Sequence, residues 1–333
     1  MAIDQTKKLK NLIDAFKDQA SIIKATFSIH RRSSSIKVAV VRATTHGARN
    51  PPSDARLAAL LALGNDFRSS TAFVCIQALM ERLHTTTSAA VAMKSLFTLH
   101  IIAIRGPFNL KGEVAFSPYY GGRNYLNLSA FRDVSDSEMS ELSCWVRWYA
   151  GVVEHNRKLD RILYFRSRNP EIVEGKDRKI PELLEELDVL VGFLERISEV
   201  PESLHVQKSD LVYEVVRLVL ESYRLVQREI RVRVTEIGNR VEWLSRDELT
   251  ESVEILTRME NCRRKVSVLF VNRGKNEELW ELVTCTKGKL VERRRRMTMT
   301  MTESTRLWNP FLEPGSLRPL GPALLPLTVS TVG

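Results

Sequence analysis

Apolar residues along this chain return every three or four positions, and no stretch alternates with the period of two that a half-buried strand requires. Leu9, Leu12, Ile13, Phe16, Ala20 and Ile23 recur at helix spacing, with Lys7, Lys8, Lys10 and Lys17 set between them. A polar stretch from His30 to Ser35 interrupts the pattern, and a short helix is predicted from about Ile36 to Thr45. It ends before Gly47 and the Asn50-Pro51-Pro52 run, which favour a turn. Helices are predicted next over Asp54–Leu63, Ser69–Leu83 and Ser88–Arg105, the last stopped by Gly106-Pro107. Residues 106–135 read as loop. Ser135 or Ser137 is expected to cap a long helix carrying Met139, Leu142, Trp145, Val146 and Val153. Further helices are predicted over Pro181–Ile197, Ser209–Ile237, Asp247–Phe270 and Asn276–Val291, with Pro181 suited to a first turn. Helices of this length with short joints predict an all-α fold of antiparallel pairs stacked into a solenoid.

After Arg293–Arg296 the composition changes. Residues 297–333 hold Pro310, Pro314, Pro319, Pro322 and Pro326 and a Met-Thr run, so a helical domain over 1–291 and a disordered tail over 292–333 are expected. No signal peptide is read, because the first twenty residues carry four lysines and no apolar core. The longest apolar stretch, Leu96–Ile104, is interrupted by Thr98 and His100 and falls far short of the ~20 residues that span a bilayer. Membrane contact, if any, is expected to be peripheral. The four cysteines are widely spaced, and Cys75 and Cys144 sit in apolar helical patterns as small buried side chains would. The net charge of +10 is uneven. Residues 1–60 hold eleven Lys and Arg against four Asp, a net +7, whereas residues 181–222 hold ten acids against three bases, a net −7. A chain so divided is expected to be oriented by an anionic surface.

Catalytic chemistry finds little support. The six histidines make no metal-spaced pair, and His100 reads as a hydrogen-bonded core residue. Gly121-Gly122-Arg123 lacks the strand-to-helix context of a phosphate loop, and no nucleophile, base and orienter assemble. Neither enzymatic activity, a cofactor nor a metal is expected.

The stretch from Lys37 to Arg56 is different. A helix ends at Arg42-Ala43-Thr44-Thr45-His46, a proline turn follows, and another helix begins. That geometry is expected to gather Arg42, His46, Arg49 and Arg56 around one exposed corner. A phosphorylated inositol headgroup needs several donors from separate points, which a helix end and the next helix start supply. Arg-Ala-Thr-Thr-His before a proline turn resembles the phosphoinositide motif of ANTH domains, the membrane-binding modules of clathrin-assembly proteins. Met80-Glu81-Arg82-Leu83-His84, Ala92-Met93-Lys94-Ser95-Leu96, the block from Arg123 to Asp133 and Ser143-Cys144-Trp145-Val146-Arg147-Trp148-Tyr149-Ala150 agree with that resemblance. It is closest to plant-type members and covers about residues 5–290. It implies an all-α superhelical domain binding phosphatidylinositol 4,5-bisphosphate, with Lys37, Arg42, Thr44, His46, Arg49 and Arg56 as headgroup residues. It also implies clathrin as a partner, vesicle SNARE proteins as further ones, and a cytoplasmic, peripheral location on coated pits and vesicles at the plasma membrane or Golgi.

The second half of the motif departs from the family pattern. Ser53, Asp54, Ala55 and Arg56 stand where Lys, a variable residue, Lys or Arg, and His are expected. Two cations are lost, and at ~1 kcal/mol for each basic residue near an anionic surface the loss weakens binding by roughly tenfold or more. The alternative is therefore a helical protein–protein scaffold of the same fold with weakened lipid binding. Over residues 9–24 the apolar stripe is expected to pack into the core, leaving only the first turns for lipid contact. In the tail, Asn309-Pro310-Phe311 resembles the ligand of EH domains in endocytic scaffolds. A nucleic-acid partner is disfavoured, because residues 24–56 offer only Phe27 for base stacking.

Overall fold

The computed structural model describes residues 2–27, 31–47, 50–65, 69–116, 126–168, 179–202, 208–269 and 273–307. Within them the chain forms eleven α-helices and no strand. They are α1 (Ala2–Thr26), α2 (Arg31–Ala43), α3 (Asp54–Ala62), α4 (Ser69–Thr85), α5 (Ala89–Arg105) and α6 (Phe108–Phe116). These are followed by α7 (Ser137–Arg168), α8 (Ile180–Ser198), α9 (Asp210–Asn239), α10 (Arg246–Leu269) and α11 (Arg273–Leu307).

Helix α5 organises the N-terminal half because it is apolar all round. Every residue from Ala89 to Ile102 is buried, as a helix without a polar face must be. It packs against α4, α6, α7 and α9, while α2 lies on α1, α3 and α4. The start of α5 is tied to the α6–α7 connection by Asp133, whose Oδ2 accepts the Ala89 backbone N–H at 2.8 Å. Its Oδ1 takes the backbone N–H and hydroxyl of Ser135, and its own N–H donates to the Ser143 hydroxyl. Helix α7 is capped by Asp136, which accepts the Met139 N–H at 2.7 Å, and not by Ser135 or Ser137. Ser135 is already engaged with Asp133.

The C-terminal half closes on itself. Helix α8 packs on α9, α9 on α11, α11 on α10, and α10 back on α8. The predicted stack of pairs therefore ends in a four-helix ring, joined to the first half through α7–α8 and α5–α9 contacts. Helix α10 opens with a reciprocal capping box in which Glu248 accepts the Ser245 N–H at 2.8 Å and Ser245 accepts the Glu248 N–H at 3.3 Å. One continuous core runs from Ile36 to Leu290.

Three expectations change. Residues 106–135 are not all loop, since α6 buries Leu110, Val114 and Ala115. The boundary at 292 falls inside α11, which continues to Leu307 with no proline to stop it before Pro310. Arg293 and Arg296 hold that continuation by pairing with Glu242 at 3.2 and 3.1 Å. Finally, part of the acidic stretch is paired within the bundle. Arg258 pairs with Asp188 and Glu195, buried Arg233 with Glu186 and Glu229, and Arg105 with Glu221.

Candidate functional site

The corner after α2 is built by α2, α3, α4 and α5 together. Thr44 continues the last turn of α2, its N–H bonding to the carbonyls of Val40 and Val41. Its side chain is fully buried and fully engaged: the hydroxyl donates to the Val40 carbonyl at 2.7 Å and accepts from Arg82 Nε at 2.5 Å. Arg82 also donates to the Thr44 carbonyl at 2.8 Å, so the guanidinium from α4 clamps the end of α2. Thr44 thus holds the corner and does not face solvent as a headgroup ligand.

His46 is fastened to α1. Asp18 Oδ1 lies 2.6 Å from His46 Nδ1, and the same carboxylate accepts the His46 backbone N–H at 3.1 Å. Beneath the corner Lys94 is 3% exposed and donates to the Thr45 hydroxyl at 3.0 Å. Burial pushes its ammonium down to about 8, with Asp18 and Asp14 opposing the shift and Arg56 adding to it. Arg42 and Arg56 are exposed, and Arg56 sits in the first turn of α3 beside Asp54. Ser53 occupies the N-cap position of α3 and Pro52 is buried, so the departure from the family pattern falls on residues that shape the turn. Arg49 and the Asn309-Pro310-Phe311 motif lie outside the described residues.

Lys37 points elsewhere. It lines a cleft of about 430 Å³ between α1, α2, α4 and the α4–α5 connection. Lys17 and Lys24 from α1, Arg82 from α4 and His46 line the same cleft, with Glu81 as the acid at its wall. Lys17 and Lys24 are seven residues apart, hence two turns along one helix face, and that spacing was available in the sequence. The cleft itself depends on how α1 sits on α2.

Helix α1 overturns the packing expectation for residues 9–24. Leu9, Leu12, Ile13, Phe16 and Ile23 are all exposed, Phe16 at 70%, and Phe27 follows at 81%. The face that meets α2 and the corner carries Asp18 and Ala25 instead: Ala25 is buried, and its carbonyl accepts the Ser34 hydroxyl at 3.0 Å. Among the described residues no helix covers the apolar stripe, and Lys17 and Lys24, also exposed, interleave with it.

The remaining polar groups are structural. His100 lies fully buried between Tyr149 at 2.9 Å, Ser222 at 2.9 Å and Asn156 at 2.6 Å, and burial pushes it down to about 3. Cys75 is buried, and its thiol is pushed up to about 12 by desolvation. Among the described residues no group of three or more His, Cys, Asp or Glu is placed to hold a metal ion. No described helix is long and apolar enough to cross a membrane.

Comparison with known proteins agrees with this architecture. Residues 35–272 match the family model of the ANTH domain. An Arabidopsis thaliana protein carrying the provisional name clathrin assembly protein is 36% identical over 292 residues, covering 84% of this chain and 80% of its own. Two others of the same organism and provisional name are 30% and 28% identical, over 84% and 83% of this chain and 85% and 98% of theirs.

Proposed function

This chain belongs to the ANTH domain family, and from that premise we propose that it is a peripheral membrane adaptor for clathrin-coat assembly or cargo selection in endocytosis. Its N-terminal helices dock on membrane bearing phosphatidylinositol 4,5-bisphosphate. The observation that carries this reading is the unpartnered apolar stripe of α1, interleaved with lysines and placed beside the Arg42 and Arg56 corner. A helix of that pattern lies in the interfacial plane, with its apolar face below the headgroups and its cations among them. Full removal of one large apolar side chain from water is worth about 1.5–3 kcal/mol, so five or six of them in one row favour a lipid surface over bulk solvent. The corner adds charge attraction from Arg42 and Arg56. Clathrin enters through the names of the relatives, and vesicle SNARE proteins through the family. EH-domain scaffolds enter through Asn309-Pro310-Phe311, for which a pull-down lost on Phe311→Ala is the expected result and an unchanged one removes the role.

The test is vesicle co-sedimentation with and without phosphatidylinositol 4,5-bisphosphate, comparing wild type with Ile13→Glu/Phe16→Glu. Both positions are exposed, so the variant is expected to keep its fold and lose pelleting at least tenfold. Wild type that fails to pellet on either vesicle supports the alternative, a helical scaffold of the same fold with lost lipid binding.

A further inference from the structure

The cations that line one common cleft are not those of the proline-turn corner. The corner has Ser53 and Ala55 where two cations belong, and Thr44 is consumed by Arg82. The cleft behind it, by contrast, collects Lys17 and Lys24 from α1, Lys37 from α2 and Arg82 from α4, with His46 at the rim and Glu81 as its acid. We propose that this cleft, walled by α1, α2 and α4, is the site that holds a multiply phosphorylated inositol headgroup.

The size and chemistry fit. About 430 Å³ lies within the ~300–1,000 Å³ typical of small-molecule sites. Three separate elements supply the cations, which suits a ligand whose phosphates point in different directions. Lys17 and Lys24 stand roughly 10 Å apart along α1 at 1.5 Å per residue, a span that phosphates on opposite edges of one ring can bridge with flexible lysines. Arg82 is already fixed by Thr44, so it meets the ligand as a pre-positioned charge. Val40, Val41 and Ala78 give the cleft an apolar wall for the ring itself.

Placement links the cleft to the membrane. Lys17 and Lys24 belong both to the cleft lining and to the helix whose apolar stripe is exposed. A lipid headgroup entering beside α1 keeps its acyl chains on the stripe's side, whereas a soluble inositol phosphate fills the same cleft without lipid. The assignment to lipid rests on the membrane reading above; the assignment of the cleft as an inositol phosphate site does not.

Two measurements on the full chain separate these. Calorimetric titration with soluble inositol 1,4,5-trisphosphate reads the cleft, and co-sedimentation on phosphatidylinositol 4,5-bisphosphate vesicles reads the membrane. Lys17→Ala/Lys24→Ala is expected to weaken both on the order of tenfold or more, and Arg42→Ala/Arg56→Ala to weaken the soluble ligand less. Circular dichroism of both variants is expected to match wild type. Wild type that binds the soluble headgroup but no vesicle keeps the cleft and removes the membrane reading. Wild type that pellets but binds no soluble headgroup overturns the cleft, as does a Lys17→Ala/Lys24→Ala variant that titrates like wild type. Failure of wild type in both assays overturns both.

Discussion

At the scale of single residues, hydrogen bonding decides which groups serve the fold and which remain for a ligand. Thr44 sits in the motif that suggests headgroup contact, yet its hydroxyl is spent between Val40 and Arg82. The sequence cannot show this, because Arg82 is 38 residues away and reaches Thr44 only through the α2–α4 packing. His100 was legible as a core residue, since a histidine inside Leu96–Ile104 has nowhere polar to go except to a partner. Its partners come from α7 and α9, with the Tyr149 hydroxyl at Nδ1 and Asn156 and Ser222 at Nε2. The consequence is a pH dependence. In the folded chain His100 is pushed to about 3, while in the unfolded chain it titrates near its ordinary ~6.5. The unfolded state therefore binds the extra proton between those values, so the contribution is complete above pH ~6.5 and lost progressively below it. Unfolding free energies from urea titrations at pH 6.5 and 5 are expected to differ by about 1.6 kcal/mol more for wild type than for His100→Gln. Equal differences contradict the assignment.

At the scale of elements, periodicity identified helices well and their environments poorly. Helix α5 was unambiguous because an apolar run longer than three turns must be buried whichever way it faces. Helix α6 escaped because nine residues containing Gly112 show too little of a period, and Leu110, Val114 and Ala115 alone mark its buried side. Helix α1 was recognised, but an apolar stripe destined for the core and one destined for a bilayer have the same spacing. What separates them is the opposite face, where Asp18 and Ala25 make the contacts that seat α1 on the corner and on α2. The tail boundary failed for a related reason. Four consecutive arginines mark the change in composition, but Glu242, in the connection between α9 and α10, pairs with two of them and holds α11. These pairs are largely exposed, so ending the chain at Val291 is expected to lower stability by only about 1 kcal/mol. A thermal melt in which the shortened chain no longer unfolds cooperatively shows instead that α11 beyond residue 291 belongs to the core.

At the scale of the whole molecule, the uneven charge acquires a direction. Four acids of residues 181–222, Glu186, Asp188, Glu195 and Glu221, are paired with Arg233, Arg258 and Arg105 from other helices, so part of that region's charge is held within the fold. The N-terminal cations are different: Lys17, Lys24, Arg42 and Arg56 remain exposed beside an apolar stripe. The basic excess in the first sixth of the chain was visible in composition, but the gathering of cations from α1, α2 and α3 beside the stripe was not. An all-helical body presenting that side is suited to a flat anionic surface.

Insertion of α1 can be read directly from Phe16→Trp, with the five native tryptophans of wild type as background. On vesicles containing phosphatidylinositol 4,5-bisphosphate, the added emission is expected to shift blue and to be quenched by lipids brominated on their acyl chains. Emission from residue 16 that stays unshifted and unquenched, in protein that has pelleted with those vesicles, contradicts the placement of the α1 stripe in the membrane.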